Sequence, residues 1–475
     1  MTEIETILKP NVYIFAFHLI SDTRGKDNPL WNWADEFLES FTSQKLKFQL
    51  QFPEPPSKFR VDLLPADISL NFESKINDQN RELEVSGFAF PLQIGDSYAL
   101  FLNVGLPDSC IEEAFPQLLS KFNPQNLLGI VTGEEFLGET ILITAKLPSQ
   151  LQSASPEELQ SLADKCCNAL LPAQYRPTFH RHDKLFGSPI FEYGLTKQIA
   201  NYRHLLVWFP NSEASEDKLG IYQQEILDLF YYRNKIIKSF QNSRQIHGKL
   251  LDVYREVENN VGELQQQIDR LNTDLTPENL QKFKTELKNL LRIALAYTQG
   301  LTKLEDYDNT IAINLNNYNE KLEQIRGKVG VDKEEVSILN HFRRKTAPYM
   351  RSQITGDLGY FKHGTDLIES AIASIRGIVE IEQARSDRET QQLLRNNEKA
   401  DNERGEKLEK SIQAIGVGLA AGGIAASSGP EKLLTTLQNH HIPVPHPFIF
   451  SFSLSILIAA LAWCITRWLL GKGQP

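Results

Sequence analysis

TPENLQKFKTELKNLLRIALAYTQGLTKLEDYDNTIAINLNNYNEKLEQI, Thr276 to Ile325, decides how the second half of the chain folds. Leu280, Phe283, Leu287, Leu290, Ala294, Tyr297, Leu301, Leu304, Ile311, Leu315, Tyr318, Leu322 and Ile325 fall on one 3/4-spaced series. That spacing keeps a single helical seam turned toward a partner. Asp308 holds the one charged place in the series, and a carboxylate there needs a partner or a wet bend. Thr276 as N-cap and Pro277 at the first helical position open the helix.

Upstream, Leu250, Tyr254, Val257, Val261, Leu264, Ile268 and Leu271 keep the same alternation. The short connection over Asn272–Thr276 predicts an antiparallel hairpin, with the stripes closing an intramolecular bundle or, in part, a coiled coil between copies. The bundle is expected over residues 211–383. Gly327 to Gly330 (GKVG) end the second helix, and Pro348, Gly356, Gly359 and Gly364 are read as interrupting the third segment. Helix is expected again from Thr365, with Ile368, Ile372, Ile375 and Val379 on one face. Residues 384–411 are a polar spacer, either a solvated helix with i,i+4 ion pairs or a linker.

The first 210 residues read differently. VYIFAFHLI (Val12–Ile20), KFQLQF (Lys47–Phe52), ELEVSGFAF (Glu82–Phe90), YALFLNV (Tyr98–Val104), ETILITAKL (Glu139–Leu147) and RHLLVWF (Arg203–Phe209) carry strand patterns. Helices are expected over Ser109–Lys121 and Ser155–Leu171, the second opened by a capping box of Ser155 and Glu158 with Pro156 between them. The fold class is therefore an α+β N-terminal domain, then a long antiparallel helical bundle or coiled coil, then a C-terminal transmembrane helix or hairpin.

The sequence lacks GxxxxGK[ST], GxSxG and HExxH, and has no GxGxxG after a strand, so the domain is expected to be non-enzymatic and to need no cofactor. An enzyme with a site of another kind is the competing reading. His180 and His182, with Asp183 in FHRHD, are the candidate metal ligands, set against a solvated basic loop of Arg176, Arg181 and Lys184. A net charge of −10 argues against nucleic acid as partner. Cys110, Cys166, Cys167 and Cys464 have no metal-ligand spacing and form no disulfide framework, which fits a reducing compartment. MTEIETILKP is not a signal peptide, so the N-terminal bulk is expected in the cytoplasm.

FIFSFSLSILIAALAWCITRW, Phe448 to Trp468, is uncharged through Thr466 and suffices to cross a bilayer at about 1.5 Å per residue. IQAIGVGLAAGGIAASS, residues 412–428, is uncharged but weakly hydrophobic. Arg404, Lys407 and Lys410 precede it, Arg467 and Lys472 follow the last span, and the 429–447 connection holds only Lys432 as a full cation. Two crossings place both basic flanks on one side. Gly418 and Gly422 form a GxxxG that lets helices pack closely, within the hairpin or between copies. A single tail anchor is the competing reading.

A cytosolic α/β domain, long helices and a C-terminal membrane hairpin resemble, in layout only, the CorA family of divalent-cation channels. The resemblance implies a pentamer whose long helix continues into a pore-lining first span. The family's Gly-Met-Asn motif is absent, because the only methionines are Met1 and Met350, and Ser428-Gly429-Pro430-Glu431 stands in the corresponding place. The expected function is a membrane-anchored homo-oligomer, integral to the plasma (inner) membrane, that senses a small ligand or binds a protein partner at the cytosolic face. Its partners then include the lipid bilayer. A CorA-like channel with a lost or altered selectivity motif is the alternative.

Overall fold

The computed structural model describes residues 6–20, 25–52, 59–64, 69–78, 81–107, 109–110, 113–128, 133–196, 202–269, 276–328, 335–397 and 465. The chain divides into two compact units, one of Met1–Asp274 with Lys284–Ala373 and the other of Leu275–Phe283 with Ser374–Pro475.

Among the described residues of the first unit, ten strands build one sheet: β1 (Ile7–Leu19), β2 (Arg60–Asp62), β3 (Leu70–Asp78), β4 (Arg81–Ile94), β5 (Ser97–Gly105), β6 (Glu113–Ala114), β7 (Phe136–Lys146), β8 (Phe179–Leu185), β9 (Ser188–Tyr193) and β10 (His204–Trp208). The main path runs β2-β4-β5-β1-β7-β10-β9-β8, with β3 on β4 and β6 on β1. β10 lies parallel to β7, and the other pairings are antiparallel. Both faces are covered at the centre, which is why β5 reads as an almost continuous apolar run and is buried at every position.

One face carries Val12, Ile14, Ala16, Leu100, Leu102, Ile141, Ile143 and Val207 into a core with α1 (Pro29–Leu38) and α3 (Pro156–Leu170). Helix α1 starts on Asn28, whose side chain accepts from Leu30 N, with Pro29 next. Helix α3 has the expected capping box: Glu158 N donates to Ser155 Oγ and Ser155 N donates to Glu158 Oε2.

The opposite face receives α5 (Gln223–Asp269), which follows the short α4 (Glu213–Ile221). Phe230 sits edge-on to Phe15 at 4.9 Å, and Tyr231 lies 5.7 Å from Phe17. The approach is close at the irregularity in β7, where Gly138 has φ +132° and an added Cβ would stand 2.5 Å from Asn234 Oδ1. Glycine is the residue that tolerates both conditions.

Two expected elements differ. Lys47–Phe52 is not a strand: α2 (Leu46–Gln49) buries Leu46 and Leu50, four apart, and leaves Phe48 77% exposed. Ser109–Lys121 is not an α-helix. Glu113–Ala114 pair with Ile7–Leu8, and Pro116 holds Phe115 extended, so only a 3-10 helix, Pro116–Phe122, remains.

Beyond the sheet, α5 continues as part of a bundle with α6 (Pro277–Lys328) and α8 (Ala347–Asn397), the latter preceded by α7 (Ser337–His341) and a π-helical turn, Phe342–Thr346. Leu290, Tyr297, Leu304, Ile311, Tyr318 and Ile325, seven apart, are buried, so the seam read from the sequence faces inward. Asp308 has its partner: Arg351 Nε and Nη2 meet its two oxygens at 3.0 and 2.8 Å. Helix α8 runs unbroken through Gly356, Gly359 and Gly364. Pro348 does not interrupt it because the π-helical turn Phe342–Thr346 runs directly into α8, with Ala347 N donating to Phe342 O five residues back, so the missing Pro348 N–H falls where the turn is already widened.

In the second unit α8 extends along the polar spacer to Asn397, with Arg385 and Glu389 paired at 3.3 Å across one turn. Among the described residues no helix is long and apolar enough to cross a membrane. Both candidate spans, with Gly418 and Gly422, lie outside the described residues apart from Ile465.

Candidate functional site

The residues singled out in FHRHD lie on β8, the edge strand, and meet different partners. Adjacent strand residues face opposite sides, so His182 and Asp183 part company. His182 is exposed beside the Phe191 ring, while Asp183 accepts from Arg181 Nη1 at 2.9 Å and from Ser337 Oγ. A register irregularity between Phe179 and Arg181 lets His180 reach Glu192 instead. The three candidates are thus not gathered on one point, and among the described residues no group of three or more His, Cys, Asp or Glu side chains is arranged to hold a metal.

What His180 and Arg181 approach is a buried cluster centred on Glu192 of β9. Alternation sends Phe191 and Tyr193 into the α1/α3 core and turns Glu192, 5% exposed, toward α5. Its Oε1 receives His204 Nε2 of β10 at 3.2 Å and Arg233 Nη2 of α5 at 3.1 Å. Its Oε2 receives Arg181 Nε at 2.8 Å, and His180 Nδ1 stands at 3.5 Å. Burial pushes the Glu192 pKa up, but the two imidazoles and the Arg233 charge more than offset this and hold the carboxyl well below the usual range.

Arg233 also donates to Tyr202 Oη at 2.8 Å, and its guanidinium carbon lies 5.0 Å from the Phe342 ring centre, on the π-helical turn. Arg181 Nη2 donates to Ile338 O at 2.7 Å, and Lys184 N to Ser337 Oγ at 3.1 Å, so α7 covers the β8 edge. Four parts of the chain distant in sequence therefore meet through one carboxylate: the β8–β9 hairpin, β10, α5 and the α7 turn.

His204 is buried as a neutral ring. Asn234 Nδ2 donates to Thr140 Oγ1 at 3.3 Å, which leaves the Thr140 hydroxyl to donate to His204 Nδ1 at 2.9 Å and the Nε2 proton to face Glu192. Burial, seconded by the Arg233 charge, lowers the His204 pKa to about 4. An unfolded histidine titrates near ~6.5, so between those values the unfolded chain takes up a proton that the folded chain refuses. His204 therefore adds stability above pH ~6.5 that is lost as pH falls toward 4, by about 3 kcal/mol in all. Urea midpoints followed across that window should fall with acid in the natural protein and fall less in His204→Asn. Parallel slopes for the two proteins would contradict this.

The sequence offers no short motif for this cluster, because Glu192, His204 and Arg233 are brought together only by strand order. One signal was present: Arg233 and Asn234 sit inside the apolar run ILDLFYYRNKII, Ile226 to Ile237. Cys166 and Cys167, by contrast, are buried side by side as free thiols in α3, and burial pushes both pKa values up, Cys167 to about 12.

A second feature lies on the same face of the sheet, ahead of the start of α5. A cleft of about 670 Å³ has Tyr13, Phe15, Phe88 and Phe101 as floor and Leu219 to Ile221 as wall. A neighbouring cavity of about 410 Å³ shares Phe88, Phe101 and Gln223 with it and adds Arg60, Phe90 and Leu227. Phe15 and Phe101 stack at 4.6 Å, and Phe88 meets Phe101 edge-on at 5.0 Å. Volumes of this size suit small ligands.

No protein-family model matches the chain, and no curated protein matches it. Among solved structures the chain is similar to the CorA magnesium transporter from Methanocaldococcus jannaschii, at 11% identity over 73% of this chain and 93% of that one. The TM-score is 0.19, too low to carry a fold argument.

Proposed function

We propose that the chain is a non-enzymatic, membrane-anchored sensor. Its α/β domain lies on the cytosolic side and acts on C-terminal membrane segments through the helical bundle. The observation that carries this reading is the continuity of α5. Its first turns place Phe230, Arg233 and Asn234 against the sheet, and the same helix, without a break, contributes Tyr254 to the bundle beside Tyr360 and Phe361 of α8. A change at the sheet that moves the first turns of α5 moves its remainder as a rigid rod. In sequence α8 leads through the polar spacer to the apolar segments 412–428 and 448–468.

In this reading the apolar segments form a hairpin in the inner membrane, Gly418 and Gly422 pack its helices or neighbouring copies, and the protein is a homo-oligomer. The second reading, conduction of divalent cations, is favoured by the order of a cytosolic domain, long helices and two C-terminal apolar segments. Reporters fused at the C-terminus and within 429–447 test the hairpin. The C-terminus is expected on the cytosolic side and the connection outside, and placement of both on the same side would sink the hairpin. Purified protein in liposomes then separates the readings, because divalent-ion flux is expected only under the second.

A further inference from the structure

We propose that the aromatic cleft ahead of α5 binds a small aromatic carboxylate, with its ring on Phe88 and Phe101 and its carboxylate on Arg60. This deepens the sensing part of the proposed function by naming the class of ligand, and it is independent of the membrane topology.

The floor supplies the first half of the argument. Along β1, β4 and β5 the aromatic residues facing α5 include Tyr13, Phe15, Phe17, Phe88, Phe90 and Phe101, and where α5 lies over the sheet Phe15 and Phe17 are sealed by Phe230 and Tyr231. Ahead of Gln223 the floor is not sealed: Tyr13 and Phe88 remain half-buried and line open volume. A flat ring entering there meets edge-to-face and stacked partners already held in place by one another.

Arg60 supplies the second half. It lines the cavity under Phe90 and Phe101, and its Nη1 is buried with no hydrogen-bond partner. Its Nη2 is engaged by Asp228, with Gln224 O at 3.5 Å. Asp228 is shared with Lys321 at 3.2 Å, so two cations divide one carboxylate, and the exposed Asp62 is a further carboxylate on the cavity wall. A buried guanidinium nitrogen without an acceptor is costly, and an anionic oxygen supplies the missing acceptor. In the other, larger part of the cleft Glu216 is paired with Lys146 at 2.6 Å, and Lys9 and Asp217 both line the wall, so the donor that singles out a place for an anionic group is Arg60 Nη1.

Titration of the purified full-length protein with indole-3-acetate and 4-hydroxybenzoate, against the uncharged twins indole-3-acetamide and 4-hydroxybenzamide, tests this by calorimetry and ligand-observed magnetic resonance. The acids are expected to bind at least about tenfold more tightly than the amides. Arg60→Gln should bring the acids down to the level of the amides while leaving the amides unchanged. Lys321 still holds Asp228 in that variant, and an unchanged thermal midpoint checks that it folds. Phe88→Leu, as an independent variant, should weaken acids and amides alike. The proposal is overturned if acids and amides bind equally, if Arg60→Gln leaves acid binding intact, or if none of the four binds at millimolar concentration. Failure of that kind leaves the topology result untouched, and a failed topology test leaves the cleft untouched.

Discussion

Glu192→Ala is expected to destabilise the protein by about 3–5 kcal/mol, well above the typical single substitution. The loss is not the value of one ion pair. Removing the carboxylate leaves Arg233, 3% exposed, with its hydrogen bond to Tyr202 Oη, and strips Arg181 Nε and His204 Nε2 of their acceptor. Two cationic groups then face each other in a space with little water, and the histidine proton is left unpaired. Urea titration followed by tryptophan fluorescence is well placed to see this, because Trp208 is fully buried one strand away from Glu192. Glu192→Leu with Arg233→Met should recover part of the loss, since it removes the stranded Arg233 charge while Arg181 Nε and His204 Nε2 still lack their acceptor. A Glu192→Ala midpoint within about 1 kcal/mol of the natural protein would mean that the cluster is not closed as described.

The same cluster shows where sequence reasoning reaches and where it stops. Period and capping are local, and they were legible: the seven-residue spacing from Leu290 to Ile325 and the Ser155–Glu158 box stand where they were read. The β8–β9 hairpin was not. Its turn is Phe186-Gly187, with φ of +50° and +78°, and it lacks the Asn-Gly that marks such turns. Phenylalanine accepts the left-handed conformation there because its ring is buried against Tyr222 at 5.8 Å and Trp208 at 6.2 Å. Those contacts come from β10 and the α4–α5 junction, which no local window contains.

The candidate site divides along the same line. FHRHD attracted notice because its ligand types are adjacent in sequence, yet adjacency on a strand separates His182 from Asp183, and the irregularity beside Arg181 redirects His180. The residue that organises the region, Glu192, lies in an unremarkable SPIFEY. Its partners are 11, 12 and 41 positions away, so only the sheet order assembles them. Asp308 is the intermediate case. Its place on an apolar seam announced the need for a partner, while the identity of Arg351, on another helix, required the fold.

Tyr297→Ala is the second large effect, about 3–5 kcal/mol, and it falls on the bundle rather than the sheet. Tyr297 is 1% exposed, stands edge-on to Phe361 at 6.3 Å and donates to Phe361 O at 2.7 Å. Opposite it, Gly364 of α8 leaves room for the phenol: an added Cβ would lie 2.3 Å from Tyr297 Oη and 2.8 Å from Tyr254 Cδ2. Glycine within a helix costs about 0.5–1 kcal/mol relative to alanine, and here that weakness is what admits two tyrosines from α6 and α5 to the surface of α8. Deleting the ring empties the space on which three helices meet, whereas Tyr297→Phe removes only one hydrogen bond, about 1 kcal/mol. Hydrogen exchange distinguishes a local from a global consequence. In Tyr297→Ala, α8 amides around Phe361 are expected to exchange faster while those of β9 and β10 keep their protection. Equal acceleration in both would show that bundle and sheet open as one unit. The rod-like coupling proposed for α5 would then be carried by shared stability rather than by movement.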